Sequence, residues 1–580
     1  MVEKINASDA MLKVMEAWGI DHIFGLPGGS FDSTMNALHN RQKTMRYIQV
    51  RHEEVGTLAA AGEAKVTGKI AAAFGSAGPG AVHLLNGLYD AKYDNVPMLA
   101  LVGQVATNMM NTDYFQEMNE NPMFADVAVY NRTVMTAAQM PAVVDQAIQQ
   151  AYKHNGVAVV TIPTDLGWQA IDDNFEPTAN LFQQGHYPLP RTTDITDALK
   201  LIKAAKHPII YFGQGAKAAG QQIGALSEKL KMPMMSSALA KGIIADQNPA
   251  YMVSAGRVAT KPGVDLAKAA DLILFVGSNY EFGAYFFKPD AKFIQIDIDA
   301  TKIGHRHHVD VGILADAKTA LQALLDASQA VETPTDFYQA AMANKANWED
   351  WKAGFTESDQ VPMRVEPVFK AINEMANDDA IFNLDVGNVS IDGVRFLDMH
   401  PGQKMTLSAW YATMGCAVPA AIGTQTAFPD RQVWSISGDG GFTMVMQDII
   451  TQAKYQMPII NVVLSNDSFG FIEAEQDDKG QPHSGVAIQG ADYGAVATAL
   501  GAQGFTVHNL TELKTAFAAA KIAKGPVVID VKIANERPLP VEQLVIDPET
   551  QDPQAVEAFI KKYHAQGLIP FRAILEQYEA

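Results

Sequence analysis

The chain is almost without cysteine. Its 580 residues contain one, Cys416, which excludes internal disulfides and any cysteine metal cage. That thiol sits in an apolar stretch and reads as a buried structural group. Basic residues are also in short supply. Lys and Arg number 44 against 64 Asp and Glu, leaving a net charge of −20. Nucleic acid and anionic membrane both demand clustered positive charge, so neither is an expected partner, and a soluble cytoplasmic protein is expected. No apolar run reaches transmembrane length. The first ten residues lack the basic-then-apolar progression of a signal peptide, so none is expected. The G-x-G-x-x-G dinucleotide fingerprint is missing too. The nearest approach to it, Gly213-Gln-Gly215-Ala-Lys-Ala-Ala-Gly220, follows an apolar run but has the wrong spacing.

What is present is ordinary in bulk and specific in detail. A composition of 48% hydrophobic and 19% charged residues is that of a globular protein. The length predicts roughly three to five domains of ~150 residues. The most informative stretch is Gly438-Asp439-Gly440-Gly441, followed 25 positions later by Asn466. The apolar run Val433–Ser437 leads into the glycines. Met444, Met446, Ile449, Ile450 and Ala453 then have the spacing of one apolar helix face. A second run, Ile459–Leu464, delivers Asn466. Strand, glycine turn, helix and strand make a parallel crossover unit. Its geometry sets Asp439 and Asn466 at the carboxyl ends of neighbouring strands, where open α/β sheets bind ligands. An Asp carboxylate and an Asn carbonyl are hard oxygen ligands suited to Mg²⁺ or Ca²⁺ held jointly with a phosphate. Gly438, Gly440 and Gly441 let the backbone approach a diphosphate. The spacing resembles the thiamine diphosphate (ThDP) motif.

Lys69 to Gln104 repeats the pattern: a strand, the turn Gly75–Gly80, a helix ending Ala91-Lys92-Tyr93, and the strand Met98–Val102. The later copy ends its helix in Ala453-Lys454-Tyr455. With these triplets aligned, Gly78 falls on Gly440 and Ala77 on Asp439. A duplicated domain in which one copy lacks the metal carboxylate is expected. Polar breaks at Phe175–Arg191 and at about Asp326–Pro362 divide the chain. The segment between them carries strands Pro208–Phe212, Leu272–Val276 and Phe293–Ile296. The expected fold class is α/β, with three doubly wound parallel-sheet domains. They span residues 1–180, 191–340 and 360–545, and a tail, 546–580, packs near the active site.

The first domain also offers a carboxylate. An apolar run ends in Arg51-His52-Glu53-Glu54, and this Arg-His-Glu resembles the pyruvate oxidase and acetohydroxyacid synthase group of ThDP enzymes. By that resemblance Glu53, and not Glu54, is the acid that binds the aminopyrimidine nitrogen N1′ and promotes loss of the C2 proton. The resemblance further implies that the site forms between the first domain of one subunit and the third of its neighbour. A homodimer is then obligatory, and a homotetramer is the common assembly. The segment Leu407–Gly415 resembles the one whose methionine, here Met414, bends the cofactor. Ser468 would add a backbone carbonyl to an Mg²⁺ or Mn²⁺ held by Asp439 and Asn466. Val386, Gly387, Phe469, Gly470 and Phe471 complete the implied ThDP contacts.

From its residues the middle domain is either purely structural or binds something adenine-like; in the second case Asp297, at a strand end, could hold a ribose hydroxyl, and Asp316 could act similarly. The run His305-Arg306-His307-His308 reads as a solvated loop. Ser254-Ala-Gly256-Arg257, Phe275-Val-Gly277-Ser278-Asn279 and Gln295-Ile-Asp297-Ile298-Asp299 resemble the FAD domain of bacterial pyruvate oxidases. That likeness implies FAD contacts at Gly213, Gly215, Gly256, Arg257, Ser278, Asn279, Asp297, Ile298, Asp316 and Ala317.

The likeness runs from Ala10 through Leu539 and points to the phosphate-dependent, acetyl-phosphate-forming type of lactic acid bacteria. Two loops carry the implied reaction. Asp113–Pro122 resembles the oxidase loop in which Phe115 and Gln116 face the reacting centre. Phe469–Gln476 resembles the segment that sets Ile472 on the cofactor and Glu475 near the substrate. Phosphate would be received near Gly29 and Ser30, with Gln116, Arg257 and Glu475 nearby; Leu26–Ser30 could form an N–H concavity. The implied activity is oxidative decarboxylation of pyruvate with phosphate and O₂, through hydroxyethyl-ThDP and FAD, to acetyl phosphate, CO₂ and H₂O₂. The alternatives are an acetolactate synthase-like carboligase with structural FAD, and a quinone-linked oxidase. The tail lacks the basic face that membrane docking needs.

Overall fold

The computed structural model describes residues 3–182 and 187–579. Residues 183–186 of the expected linker Phe175–Arg191 lie outside the described residues. Three six-stranded sheets organise the chain, and every pairing inside them is parallel. Parallel sheets are covered by helices on both faces, so their strands are apolar throughout. Met98–Gln104, Val157–Pro163, Pro208–Phe212 and Leu272–Val276 are buried at every position.

The N-terminal sheet runs Arg46–Gln49, His22–Gly25, Ala71–Gly75, Met98–Gln104, Val157–Pro163, Ala128–Thr133. In chain order this is second, first, third, fourth, sixth, fifth. The C-terminal sheet runs Lys404–Thr406, Ile381–Leu384, Val433–Gly438, Ile460–Ser465, Val527–Lys532, Gln503–Val507, which is the same order. Such identity across six strands is what a duplicated unit leaves behind. The central sheet differs, running third, second, first, fourth, fifth, sixth, with Pro208–Phe212 and Leu272–Val276 at its middle. Each sheet therefore has one point where connections depart in opposite directions, which opens a crevice at the strand carboxyl ends. Those crevices lie beside Gly25 and Gly75, beside Phe212 and Val276, and beside Leu384 and Gly438.

The two related units meet through equivalent helices. Glu53–Thr67 and Ala417–Ala427 each follow the second strand of their sheet. Their contact is made of small residues. A Cβ on Gly62 would come within 2.5 Å of Ala420 Cβ, and one on Gly423 would overlap the Ala59 carbonyl. The helix backbones can approach this closely only without those side chains.

Several expectations need correction. The single apolar face across Met444–Ala453 is interrupted: helix Asp439–Val445 gives way to a 3₁₀ turn, Met446–Asp448, and then to helix Ile449–Lys454. The tighter turn shifts the phase of the side chains. Ile449 is buried, while Met444 is 50% exposed and Ile450 36%. The break at Asp326–Pro362 holds an 18-residue helix, Asp336–Ala353. Its inner face includes the polar Asn344 and Lys345 beside Trp348, so hydrophobic periodicity does not reveal it. The loop at His305–His308 is not fully solvated, because the His307 ring stacks 4.6 Å from Phe293.

The tail forms helices Pro553–Tyr563 and Phe571–Glu579. It docks on Asp336–Ala353 through Phe571 against Phe337, and through Asn347, which donates to the Gly567 carbonyl and accepts from the Ile569 N–H. Among the described residues, none after Ile533 lines the main cavity.

Candidate active site

A cavity of about 1160 Å³ connects the crevice of the C-terminal sheet with that of the central sheet. On the C-terminal side its wall includes Val386, Gly387, Met414, Gly438, Asp439, Gly440, Gly441, Asn466, Ser468, Phe469, Gly470, Phe471, Ile472 and Glu475. On the central side it includes Gly215, Gly256, Arg257, Ser278, Asn279, Asp297, Ile298 and Ala317.

Asp439 begins its helix where the strand Val433–Gly438 ends, and it is 1% exposed. Its carboxylate accepts only backbone N–H groups, from Gly440 at 2.9 Å and Asp467 at 2.7 Å. Burial pushes this carboxyl upward, and no Lys, Arg or His among the described residues pairs with it. Asn466 stands one strand over. Its Nδ2 donates to Asn535 at 2.9 Å, which directs its Oδ1 to the Ser468 N–H at 3.3 Å. Asn535 donates in turn to Glu473 at 2.9 Å, and Ser468 Oγ donates to the other Glu473 oxygen.

The donor set suits a divalent cation: a buried carboxylate with no cationic partner beside an amide oxygen. Space for a diphosphate is also built in. A Cβ on Gly440 would fall 2.6 Å from the Phe469 ring, and one on Gly441 would fall 2.8 Å from the Asp385 carboxyl. Asp385 is fully buried. Its Oδ1 accepts from Val386 and Gly415, both at 2.8 Å, and its Oδ2 has no partner among the described residues. Burial raises its pKa to about 6.

The central side fits a large polar ligand. Tyr211 and Tyr280 line it, and the buried Tyr280 hydroxyl has no partner among the described residues. The helix Glu53–Thr67 ends at this wall, where Lys217 donates to the Lys65 carbonyl at 2.7 Å and Lys404 to the Val66 carbonyl at 3.0 Å. Burial pulls the Lys217 amine down to about 8.

Two residues expected at this site lie just outside the cavity lining, beside Gln214, Gly215, Ala315 and Ala317. Asp316 caps helix Ala317–Ala327 by accepting from the Thr319 N–H at 3.1 Å. Gly213 lies outside the lining, because its missing side chain is what lets the Gly277 turn approach: a Cβ there would be 2.5 Å from the Gly277 carbonyl.

The N-terminal set forms a separate group. Ser30 Oγ and Ser76 Oγ are 2.7 Å apart, and the Ala77 N–H donates to Ser30 at 2.8 Å. Gly29 opens the short 3₁₀ turn that carries Ser30. Glu53 is 7% exposed, with Oε2 3.0 Å from His83 Nδ1 and Oε1 3.1 Å from where a side chain on Gly80 would begin. The Gln116 backbone lies against Gly78, and Phe115 is 78% exposed. Within one chain, none of Gly29, Ser30, Glu53, Phe115 or Gln116 lines the cavity.

Sequence reasoning missed His83, Asn535, Glu473, Lys217 and the two tyrosines. Only Asn535 carries a usable signal, since it follows the end of a buried strand, Val527–Lys532.

Comparison with known proteins agrees with this architecture. Residues 5–123 match the thiamine pyrophosphate enzyme N-terminal TPP binding domain, 195–324 the central domain, and 385–531 the C-terminal TPP binding domain. The pyruvate oxidase of Lactiplantibacillus plantarum is 46% identical over 580 residues, covering 99% of this chain and 96% of that one. A putative thiamine pyrophosphate-containing protein of Bacillus subtilis, YdaP, is 39% identical over 92% of this chain and 93% of its own. The acetolactate synthase large subunit of Corynebacterium glutamicum is 30% identical over 92% and 88%. The chain belongs to the thiamine pyrophosphate enzymes, and within them to the pyruvate oxidase family. It is an oxidoreductase with the three-domain α/β fold expected from its sequence.

Proposed function

We propose that this protein oxidatively decarboxylates pyruvate with phosphate and O₂, giving acetyl phosphate, CO₂ and H₂O₂. One observation carries the reading: the 46% identity over 99% of the chain to a pyruvate oxidase, against 30% to an acetolactate synthase. A single cavity joining the Asp439–Asn466 crevice to the central crevice at Tyr211 and Tyr280 gives both cofactors room, in an oxidase as in a carboligase with structural FAD. When bound, ThDP supplies a nucleophilic carbon and an electron sink, and FAD accepts two electrons.

The chain's residues then have distinct tasks. Asp439, Asn466 and the Ser468 carbonyl hold Mg²⁺ or Mn²⁺. Gly438, Gly440 and Gly441 admit the diphosphate; Val386, Gly387, Met414 and Phe469–Phe471 shape the ThDP cleft. Gly215, Gly256, Ser278, Asn279, Asp297, Ile298 and Ala317 line the FAD side. Arg257 supplies positive charge for pyruvate or phosphate, and Glu475 orients it. Glu53 exchanges a proton with the aminopyrimidine through Oε1, since Oε2 is engaged by His83.

Glu53 does not reach the cavity of its own chain, so a second copy completes the site. Exposed apolar side chains accompany both halves: Val82 and Phe115 in the N-terminal unit, Met444 and Ile450 in the C-terminal unit. A homodimer is the minimum unit, with a homotetramer as its assembly. The charge balance supports a cytoplasmic setting, and no helix among the described residues is long and apolar enough to cross a membrane.

The test is an anaerobic spectrum of purified protein with ThDP and Mg²⁺. Pyruvate should bleach the flavin; phosphate and air should then yield acetyl phosphate and H₂O₂. Acetolactate formed with the flavin still oxidised would replace this reading with a carboligase.

A further inference from the structure

Helix Gly470–Asp478 carries Phe471, Ile472 and Glu475 into the cavity, yet none of its nine residues is buried. It is not held by apolar packing. At its start, Glu473 is bound to Ser468 and Asn535. In its middle, Arg257 bonds Glu475 at 2.5 Å and lies over the Phe471 ring. At its far end, Asp478 receives two hydrogen bonds from Arg537, at 2.7 and 2.9 Å, and one from Gln543 at 3.2 Å. Arg537 stands on a fixed base. Leu539 and Val541, just beyond it, are buried in the same core cluster as Val264 and Leu266 of the central unit, and Lys268 donates to the Glu542 carbonyl at 3.1 Å.

We infer that Arg537 and Asp478 are positioning residues, whose bidentate pair sets how far Glu475 and Ile472 reach into the cavity. This rests on the reading of the cavity as the reaction site. When an anionic substrate enters, Arg257 divides its charge between that anion and Glu475. The catch in the middle of the helix loosens at the moment the helix must stay in place. Arg537 touches no cavity atom, so its catch is unaffected by substrate. A planar fork on a carboxylate fixes direction as well as distance.

The test compares the wild-type holoenzyme with Arg537→Ala and with the charge-swapped double variant Asp478→Arg/Arg537→Asp. Hydrogen exchange with 10 mM-scale inorganic phosphate present should speed up in Arg537→Ala at residues 470–478, with the thermal midpoint and flavin content unchanged. Ordering a loosened helix is charged against binding, so the phosphate KM should rise about tenfold while kcat stays within about twofold. The swapped pair should bring both readouts back toward wild type. Unchanged exchange at 470–478 in Arg537→Ala overturns the proposal, as does a general loss of protection that the swap does not restore. If exchange responds as expected but wild-type enzyme consumes no pyruvate, the clamp stands and the reading of the reaction falls.

Discussion

Arg257 Nη2 donates to Glu475 Oε1 at 2.5 Å, joining residues 218 positions apart in the chain and rooted in different sheets. The guanidinium also lies 4.9 Å from the centroid of the Phe471 ring. The central unit thus places one positive charge at the mouth of a crevice that belongs to the C-terminal unit. Replacing Arg257 with Gln should raise the KM for phosphate about 10- to 100-fold, the usual worth of a hydrogen bond to a charged group. Steady-state kinetics at fixed pyruvate measures it.

Subunit mixing tests the shared site. Glu53→Gln alone should lower turnover by about 10²–10⁴-fold, the range for a general acid–base group, with circular dichroism unchanged. Asp439→Ala should abolish the rise in thermal midpoint that ThDP and Mg²⁺ give the wild type, since only binding to the folded state shifts that equilibrium. Refolding the two inactive variants together should restore activity. A heterodimer would carry one doubly damaged site and one intact site. Activity that never recovers on mixing would mean both residues act within one chain.

Gly423→Val should destabilise the fold. The new side chain would drive into the Ala59 carbonyl where the two equivalent helices cross. Overpacking of this kind costs about 1–3 kcal/mol or more. Urea unfolding should show a lower midpoint, and ThDP added at saturation should recover only part of it.

Glu120 should give a pH dependence of stability. It is 2% exposed; the Gln104 amide donates to it at 3.2 Å, and Thr161 lies beside it. Burial raises its pKa from 4.5 to about 8. Between those values the unfolded chain has released this proton and the folded chain has kept it. Folded stability therefore falls as pH rises from 4.5 towards 8. Glu120→Gln should flatten that part of the profile, as denaturant titrations at pH 5, 6, 7 and 8 would reveal.

Much of the fold was legible because parallel strands are short and apolar throughout. Pro208–Phe212 and Leu272–Val276 carry the boundaries their composition implies. The helix Asp336–Ala353 escaped because Asn344, Lys345 and Trp348 share its inner face. Lys345 tolerates that burial by donating to the carbonyls of Asn248, at 3.1 Å, and Tyr251, at 2.6 Å, together with that of Asp246. No periodicity can show such compensation in advance.

The sequence by itself determined the crossover unit around Gly438 and Asn466, its duplicate at Lys69–Gln104, and the hard-oxygen pair of Asp439 and Asn466. These follow from local spacing, where strand, turn and helix are set by neighbours along the chain. Tertiary structure alone decided that one cavity links two crevices, that Arg257 bonds Glu475 directly, and that Asp316 caps a helix. It also decided that Glu53 is absent from the lining of the cavity of its own chain. Each of these depends on how separately folded sheets pack, and packing is fixed by shape and polar pairing between residues hundreds of positions apart.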